Sequence, residues 1–425
     1  MSNFTKLIRN RSFVLYCAGQ AFSQFGDRLV QIVLIGYVYQ KWPGSTLELA
    51  KLFSFTVLPS FFISPIAGVY IDRWNKTYVM VLSDIFRALT ILLIPLFLIY
   101  QDNIAPIYGV IFLIFTAACF FLPARLAVIP SLVSREDILI ANSASTIVWV
   151  IAGVVGFSLG GFLVEWTGIK NSLYLNSIVY FLSAASFLCL IYSIKSRKHA
   201  ERDKNTIHSK KTFPEKSFLH DLVVGLKELF TNGKIRFVMC AFFIFASVVG
   251  ACYIVVIVFI QETLKTMTQH VGLFGMCIFA GALISSYIYG KMDMSFSRIK
   301  TVFISVFFVG ISVSAFAISL KSTGSFLLGA AFAFLIGFFL SPVYVTANTI
   351  VHETIRQDLR GRIFSSLGIV MNIGFLSFMF LSSILTEHVG NFLILVFCGS
   401  VFALFGLIGF VAVSAGRLKD FTSFS

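Results

Sequence analysis

The chain has 425 residues, of which 58% are hydrophobic and only 12% are charged. Its mean hydropathy is +0.90, and it contains 49 phenylalanines. These values lie far outside the range of soluble globular domains. The composition therefore predicts a membrane protein and excludes a separate soluble catalytic domain. The net charge of +14 is explained by where the basic residues lie.

Twelve apolar stretches are each long enough, at roughly 20 residues, to cross a bilayer as an α-helix. The predicted spans are 13–39, 48–71, 78–100, 104–124, 140–166, 171–194, 235–261, 268–290, 299–320, 324–350, 362–386 and 391–415. The first is predicted to be a retained span, because the apolar run from Phe13 is too long for a signal peptide and has no small-residue cleavage site.

The positions of Lys and Arg predict the orientation. With the N-terminus inside, 26 of them fall in cytoplasmic segments and 5 in external ones, while Arg28 and Arg87 lie within spans. Basic residues beside a span are held on the cytoplasmic side during insertion, so both termini are predicted to be cytoplasmic. The positive charge then reflects topology and attraction to membrane lipids, and we expect no nucleic-acid partner.

One long hydrophilic segment, 195–234, holds ten Lys and Arg residues and separates six spans from six. It predicts three regions: a six-helix bundle at 1–194, a basic cytoplasmic linker at 195–234, and a second bundle at 235–425. Within the linker, the apolar spacing of 217–230 predicts a surface helix. The two halves echo each other at an offset of about 222 residues, which is typical of transporters built from repeats.

The loop between spans 2 and 3 carries a motif. Gly68, Asp72, Arg73 and Lys76 resemble the Gly-x-x-x-Asp-Arg-x-x-Arg/Lys signature of the major facilitator superfamily, although Asn75 stands where Gly is usual. The resemblance implies a cytoplasmic gate in which these charges open and close contacts. The alternative is an ordinary charged turn.

Other segments resemble the drug-efflux and macrolide-efflux branch of that superfamily, which also holds siderophore exporters and lysophospholipid transporters. They are Gly26-Asp27, Pro123-Ala124-Arg125, Ala141-Asn142 and 359–365. The resemblance implies two pseudo-symmetric six-helix bundles, a monomer in the bacterial inner membrane, alternating access and no cofactor. Proton-coupled efflux of drug-like compounds is the first expectation. Lipid uptake or flipping is the alternative, and a non-transporting scaffold is the remote one.

A polar stripe runs along span 1. Gln20, Gln24, Asp27 and Gln31 fall within an arc of about 60° on one helix face. Charged residues at mid-membrane almost always point at protein or water. The stripe predicts a cavity lining in which Asp27 binds a proton, another cation or a polar cargo group. The alternative is that Asp27 only bonds a neighbouring helix or pairs with Arg28 or Arg87.

Asp84 and Arg87 lie three residues apart in span 3 and can neutralise each other. A structural ion pair is the favoured interpretation, with a share in gating or proton relay as the alternative.

In span 5, Trp149, Gly153, Gly156 and Gly160 share one face. The glycines predict close helix packing, and Trp149 is a candidate cargo contact. The segment 156–161 resembles the superfamily's antiporter signature, but Phe157 replaces the usual Pro.

In span 10, Thr346, Thr349 and Glu353 lie on one face and predict a second cavity lining. His352-Glu353 begins like a zinc-protease helix, but position 356 is Arg, so no metal site is predicted.

Overall fold

The computed structural model describes residues 7–100, 104–201, 233–291, 298–354 and 360–415. Within these ranges the chain forms α-helices and two short 3-10 helices, and no strand occurs there. The all-α fold class is confirmed. The predicted surface helix at 217–230 lies outside the described residues.

The helices follow one another in a single series. They are α1 (Arg11–Lys41), α2 (Thr46–Phe62), α3 (Ser64–Arg73), α4 (Lys76–Ile91), α5 (Leu93–Tyr100), α6 (Ala105–Val128), α7 (Ile138–Glu201), α8 (Gly233–Leu264), α9 (Gln269–Lys291), α10 (Arg298–Thr323), α11 (Phe326–Thr354), α12 (Arg360–Val389) and α13 (Asn391–Ser414). The 3-10 helices Ile129–Ser131 and Arg135–Asp137 connect α6 to α7.

Two predicted spans are interrupted. The span predicted at 48–71 breaks between α2 and α3, and the span predicted at 78–100 breaks between α4 and α5. A proline follows each break, at Pro65 and Pro95. Because proline lacks the N–H that would bond the carbonyl four residues earlier, the helical ladder is broken just before it. The residue at each break keeps helical backbone angles, Ile63 with φ −100° and ψ −37° and Leu92 with φ −66° and ψ −16°, so each pair of helices corresponds to one predicted span.

α7 contains two helices that meet at Gly168, whose φ of 79° and ψ of 167° are not helical. They correspond to the spans predicted at 140–166 and 171–194. The second runs on to Glu201, whereas its apolar, membrane-crossing part ends at Lys195, so the helix continues into the segment predicted as the linker. Basic side chains end an apolar pattern without ending a helix.

Long apolar helices dominate the described part of the chain. Nine segments there are long and apolar enough to cross a membrane, and one of the nine contains both helices that flank Gly168. Large apolar side chains point outwards, among them Leu139, Trp166, Leu327 and Ile408. A surface of this kind suits lipid and not water, and the set is consistent with the twelve predicted spans.

The described residues group into two compact units, one drawn from 1–37 and 52–215, the other from 38–51 and 216–425. In the first unit, α4 packs against α6 and α7. In the second, α8 packs against α12, α9 against α11, and α10 against α11 and α13.

A buried apolar cluster holds the first unit together. Tyr16 of α1, Met80 of α4, Ala124 of α6 and Phe187 of α7 all belong to it, and none keeps any measurable exposure. This cluster fixes the four helices that carry the polar side chains described next.

Candidate functional site

Arg87 of α4 lies at the centre of a buried charge network in the first unit. Its side chain is fully buried, with Nη1 2.7 Å from Asp27 Oδ1 and Nη2 2.5 Å from Asp84 Oδ1. The network thus joins α1 to α4 through one guanidinium. Both pairings that the sequence left open, Asp27 with Arg87 and Asp84 with Arg87, are present.

Hydroxyl groups complete the network. Ser183 Oγ donates to Asp84 Oδ2 at 2.5 Å, and Ser23 Oγ donates to Asp84 Oδ1 at 3.1 Å. Tyr180 OH donates to Asp27 Oδ1 at 2.7 Å. Buried charges are tolerated only when hydrogen bonds satisfy their remaining lone pairs, and these donors do so.

Aromatic rings cover the guanidinium of Arg87. Its central carbon lies 4.7 Å from the ring centre of Phe121 and 5.0 Å from that of Tyr180. Such contacts favour the cation by about 0.5 to 2 kcal/mol each. Arg87 is therefore held by α1, α4, α6 and α7 at once.

The charges of the network do not balance. With both carboxylates ionised, two negative groups face one positive group. The Asp84 side chain has no exposure, whereas the Asp27 side chain keeps 24%. Asp27 is therefore the more exposed of the two carboxylates that contact Arg87.

A second polar group lies near the start of α1. Gln20 is fully buried; its Nε2 donates to Ser145 O at 2.8 Å and its Oε1 accepts from Ser145 Oγ at 3.0 Å. Tyr16 OH lies 2.9 Å from Ser145 Oγ and donates to Arg125 O at 3.1 Å. These bonds fasten α1 to α6 and α7.

Arg125 of α6 is the cation of this second group. It is 7% exposed, its Nη1 donates to Gln20 Oε1 at a long 3.4 Å, and its guanidinium lies 5.3 Å from a ring centre of Trp149. No carboxylate pairs with it among the described residues. Its Nε is buried without a partner, which costs about 1 to 3 kcal/mol.

The rest of the α1 stripe lies against protein. Gln24 is buried, and Gly153 of α7 lies so close that an added Cβ would be 3.1 Å from Gln24 Nε2. Gln31 is half-buried, and its Oε1 accepts from Arg28 Nη1 at 2.9 Å. Gln20, Gln24 and Asp27 of the stripe thus contact α4, α6 and α7, whereas the bond of Gln31 stays within α1.

The span 5 glycines lie along α1. A Cβ on Gly156 would be 3.1 Å from Phe25 Cα and 3.0 Å from Arg28 Cβ, whereas one on Gly160 would be 3.4 Å from Leu29 Cδ1. Close approach of two backbones is what small residues allow in membrane helices.

The predicted gating motif lies at the α3–α4 junction. Gly68 and Asp72 fall within α3, Arg73 is its exposed last residue, and Lys76 begins α4. Asn75 caps α4, its Oδ1 accepting from Thr77 N at 3.1 Å and from Tyr78 N at 3.5 Å. Asn is a strong N-cap residue, which gives this departure from the motif a local structural reason.

The span 10 candidates are in the second unit and are not assembled into one site by the described contacts. Thr346 is buried, with its Oγ1 2.8 Å from Tyr289 OH of α9. Thr349 donates to Val345 O of its own helix at 2.9 Å. The side chain of Glu353 lies outside the described residues.

The family model of the Major Facilitator Superfamily matches residues 16–266 and 244–422. The chain belongs to the Major Facilitator Superfamily. The resemblance that the motif at residues 68–76 suggested is confirmed, and so is the fold class.

Relatives in this superfamily are distant but cover nearly the whole chain. The proposed bacilysin exporter BacE of Bacillus subtilis (strain 168) is 26% identical over 404 residues, which is 92% of this chain and 92% of that protein. Macrolide efflux protein A of Streptococcus pyogenes is 22% identical over 393 residues, 89% of this chain and 90% of that protein.

Solved structures show the same fold. A bacterial homologue of the iron transporter ferroportin, in an inward-facing state, has a TM-score of 0.71 at 16% identity and covers 96% of this chain and 99% of its own. The nucleoside transporter NupG has a TM-score of 0.65 at 15% identity and covers 96% of this chain and 99% of its own. At these identities the likeness concerns the fold alone.

Sequence reasoning missed several side chains that this superfamily member places around the predicted ones. In α7, Asn176, Tyr180 and Ser183 are spaced i, i+4 and i+7 and are all buried, a polar face that the spacing could have revealed. Arg125 was missed as a site residue because the predicted span 104–124 ended one residue before it, whereas α6 continues to Val128.

Proposed function

We propose that this superfamily member is a monomeric secondary transporter that exports small amphipathic molecules, such as drug-like compounds, across the bacterial inner membrane. It works by alternating access, driven by proton influx, without a cofactor and with both termini in the cytoplasm. Two relatives whose names state efflux or export support the direction. The Arg87 network is the observation that carries the proposal for coupling.

Asp27 is proposed as the proton site. It combines a carboxylate in an overcharged buried cluster with partial exposure of its side chain, so a proton that binds there would cancel the excess charge. One charge moved through 100 mV gains about 2.3 kcal/mol, roughly a 50-fold bias. A single titrating carboxylate is therefore sufficient to drive accumulation.

The junction of α3 and α4 is proposed as the cytoplasmic gate. Arg73 is exposed at the end of α3, and Lys76 opens the helix that carries Arg87. α4 begins at Lys76 of the gate and also carries Arg87. A movement of α4 would therefore link the gate to the charge network.

The test is transport by the Asp27→Asn variant in everted membrane vesicles. We expect the substitution to abolish accumulation of a labelled macrolide driven by an acidic lumen, because no proton can then be carried. Exchange of labelled for unlabelled cargo, with no gradient applied, should persist, because cargo binding and alternation remain. A merely structural role would remove both activities.

The matched control is Glu136→Gln, which neutralises an exposed carboxylate on the 3-10 helix Arg135–Asp137. It should retain both activities. Gradient-driven accumulation at wild-type rates by Asp27→Asn, at equal expression, would contradict the coupling role.

A lipid substrate is the second candidate, and one observation favours it. In the second unit, α8, α12 and α13 enclose an open cavity of about 320 Å³ whose lining is almost wholly apolar. It includes Phe243, Phe378, Phe397, Phe402 and Phe405. A cavity of this composition suits an acyl chain.

The two candidates are separated by comparing uptake of labelled lysophospholipid into spheroplasts with accumulation of the labelled macrolide in intact cells. The proposed function expects lower macrolide accumulation in expressing cells and unchanged lysolipid uptake. The opposite result would establish the lipid candidate. Activity in neither assay would favour a scaffold.

A further inference from the structure

We infer that Arg125, Gln20 and Trp149 form a binding site for an anionic group of the cargo, a carboxylate or a phosphate, on the cytoplasmic side of the first unit. The inference rests on the proposed function and adds a substrate class to it: amphipathic molecules that carry a negative charge. None of the groups in the Arg87 network is needed for it.

Arg125 is a buried cation, 7% exposed, without a carboxylate partner in the described part of the chain. Arg87, the other buried arginine of this unit, has two. A buried guanidinium without an anion is unusual, because removal of its charge from water is compensated only by a good ionic partner.

Two N–H donors of Arg125 are unused by the described contacts. Nη1 donates to Gln20 Oε1, while Nε is buried without a partner and the described contacts give Nη2 no hydrogen bond. Nε and Nη2 form one edge of the guanidinium, with two parallel N–H groups. That edge matches the two oxygens of a carboxylate or phosphate.

An aromatic ring and several polar groups surround Arg125. The Trp149 ring lies 5.3 Å from the guanidinium carbon and is half-buried, so it can cover the cation on one side and meet an apolar or aromatic part of the ligand on the other. The Gln20 amide and the hydroxyls of Tyr16 and Ser145 are linked to one another. The site therefore combines one cation, polar neighbours and an aromatic wall.

Gln20, which bonds Arg125, and Asp27 lie at different heights along α1. Gln20 lies seven residues before Asp27 on α1, about 10 Å along the helix axis. In the predicted orientation, Gln20 therefore lies closer to the cytoplasm than Asp27 does. An exporter would thus meet its cargo at Arg125 before reaching the charge network around Asp27. A cargo anion and a proton would bind at separate places on one helix.

The test uses two probes that differ by one charge, dansyl-phenylalanine and its methyl ester, with the full-length protein purified in detergent. Binding is measured by dansyl fluorescence and by the shift in melting temperature. We expect the wild type to bind the carboxylate at least about tenfold more tightly than the ester, equivalent to about 1.4 kcal/mol. Arg125→Gln should reduce that ratio to near one, and Arg125→Lys should leave an intermediate ratio.

Two further variants keep the test decisive. Arg28→Gln removes another arginine of the same unit that bonds a glutamine side chain, and it should leave the preference for the carboxylate intact. Should Arg125→Gln fail to fold, Trp149→Phe retains the cation and narrows the aromatic wall, and it should weaken binding of both probes while preserving their ratio. Equal binding of the two probes by the wild type, or a full preference in Arg125→Gln, overturns the inference.

A third arm distinguishes the source of the anion. Lysophosphatidylglycerol that binds in an Arg125-dependent manner, while dansyl-phenylalanine does not, identifies a lipid headgroup as the anion. The proposed function fails separately: a protein that exports the macrolide yet ignores the carboxylate contradicts only the anion site, whereas one that binds the carboxylate but transports nothing contradicts only the transport proposal.

Discussion

Arg87 of α4 contacts three other helices of the first unit, α1, α6 and α7. It contacts carboxylates on α1 and α4 and the rings of Phe121 on α6 and Tyr180 on α7. Removing one partner of a buried ion pair costs about 3 to 5 kcal/mol, because the remaining charge is left uncompensated. The two carboxylates are unequal in this respect, because only Asp27 reaches an exposed surface.

We predict that Arg87→Met lowers thermal stability far more than Asp27→Asn. The methionine leaves two carboxylates facing each other in a buried site, at a cost of about 3 to 5 kcal/mol. The asparagine keeps the shape of Asp27 and lets Arg87 retain Asp84. Melting of the detergent-purified protein, followed by size-exclusion chromatography, measures both. Equal melting temperatures would show that Arg87 is not the structural centre.

The central charges of the candidate site could be read from the sequence, because Asp27, Asp84 and Arg87 are rare charged residues within apolar spans. Their partners could not. Serine and tyrosine are common in apolar helices, and only the packing of α7 against α1 and α4 singles out Ser183 and Tyr180. Whether these charges couple transport stays a prediction.

The turn within α7 depends on one residue, Gly168. Gly168 has φ 79° and ψ 167°, a region that is almost exclusive to glycine. No atom lies within 4 Å of a Cβ added there, so any penalty for a side chain would come from the backbone alone. The two helices of α7 depend on this residue to change direction.

We predict that Gly168→Ala destabilises the protein by about 1 to 3 kcal/mol, the usual cost of forcing a side chain into this backbone region. Gly109→Ala is the control, because Gly109 is helical in α6 and equally open. It should be neutral or stabilising by about 0.5 to 1 kcal/mol. Thermal melting of both variants is the measurement. Equal melting temperatures for Gly168→Ala and Gly109→Ala would contradict backbone strain at Gly168.

Gly156 and Gly160 of α7 differ in how closely they approach α1. Alanine substitutions at these two positions should therefore differ in their effect on stability. Gly156→Ala brings a methyl group within 3.1 Å of Phe25 Cα, whereas Gly160→Ala makes an ordinary 3.4 Å contact with Leu29. We expect Gly156→Ala to cost about 1 to 3 kcal/mol, as overpacking does, and Gly160→Ala to be tolerated. Gly109→Ala again serves as the unpacked reference. Equal melting temperatures for Gly156→Ala and Gly160→Ala would argue against tight packing at Gly156.

The exact ends of several helices could not be predicted from the sequence. Apolar length located the spans, but the breaks before Pro65 and Pro95 and the extension of α6 to Val128 depend on backbone hydrogen bonding, which hydropathy does not record. Because the predicted span 4 ended at residue 124, Arg125 fell outside the span, although it lies within α6.

At the scale of the whole molecule, the two units differ in chemistry although they share one superfamily fold. The first buries charges, with Arg87 and Arg125 among hydroxyls and amides. The second holds a cavity of about 320 Å³ lined mainly by apolar side chains, five of which are phenylalanines. The polar side chains that could bind a charged group therefore lie in the first unit, and the apolar cavity lies in the second.

The orientation is the last prediction, and it concerns the whole chain. Because 26 Lys and Arg fall on one predicted side and 5 on the other, the N-terminus should be cytoplasmic. The loops that follow predicted spans 2, 4, 6, 8 and 10 should be cytoplasmic too. In a variant without the seven native cysteines, Ser45→Cys and Thr266→Cys should react with a membrane-impermeant maleimide in intact cells. Glu136→Cys should react only after the membrane is opened. The reverse pattern would invert the molecule and, with it, the cytoplasmic location of both the gate and Arg125, so the export direction would have to be abandoned.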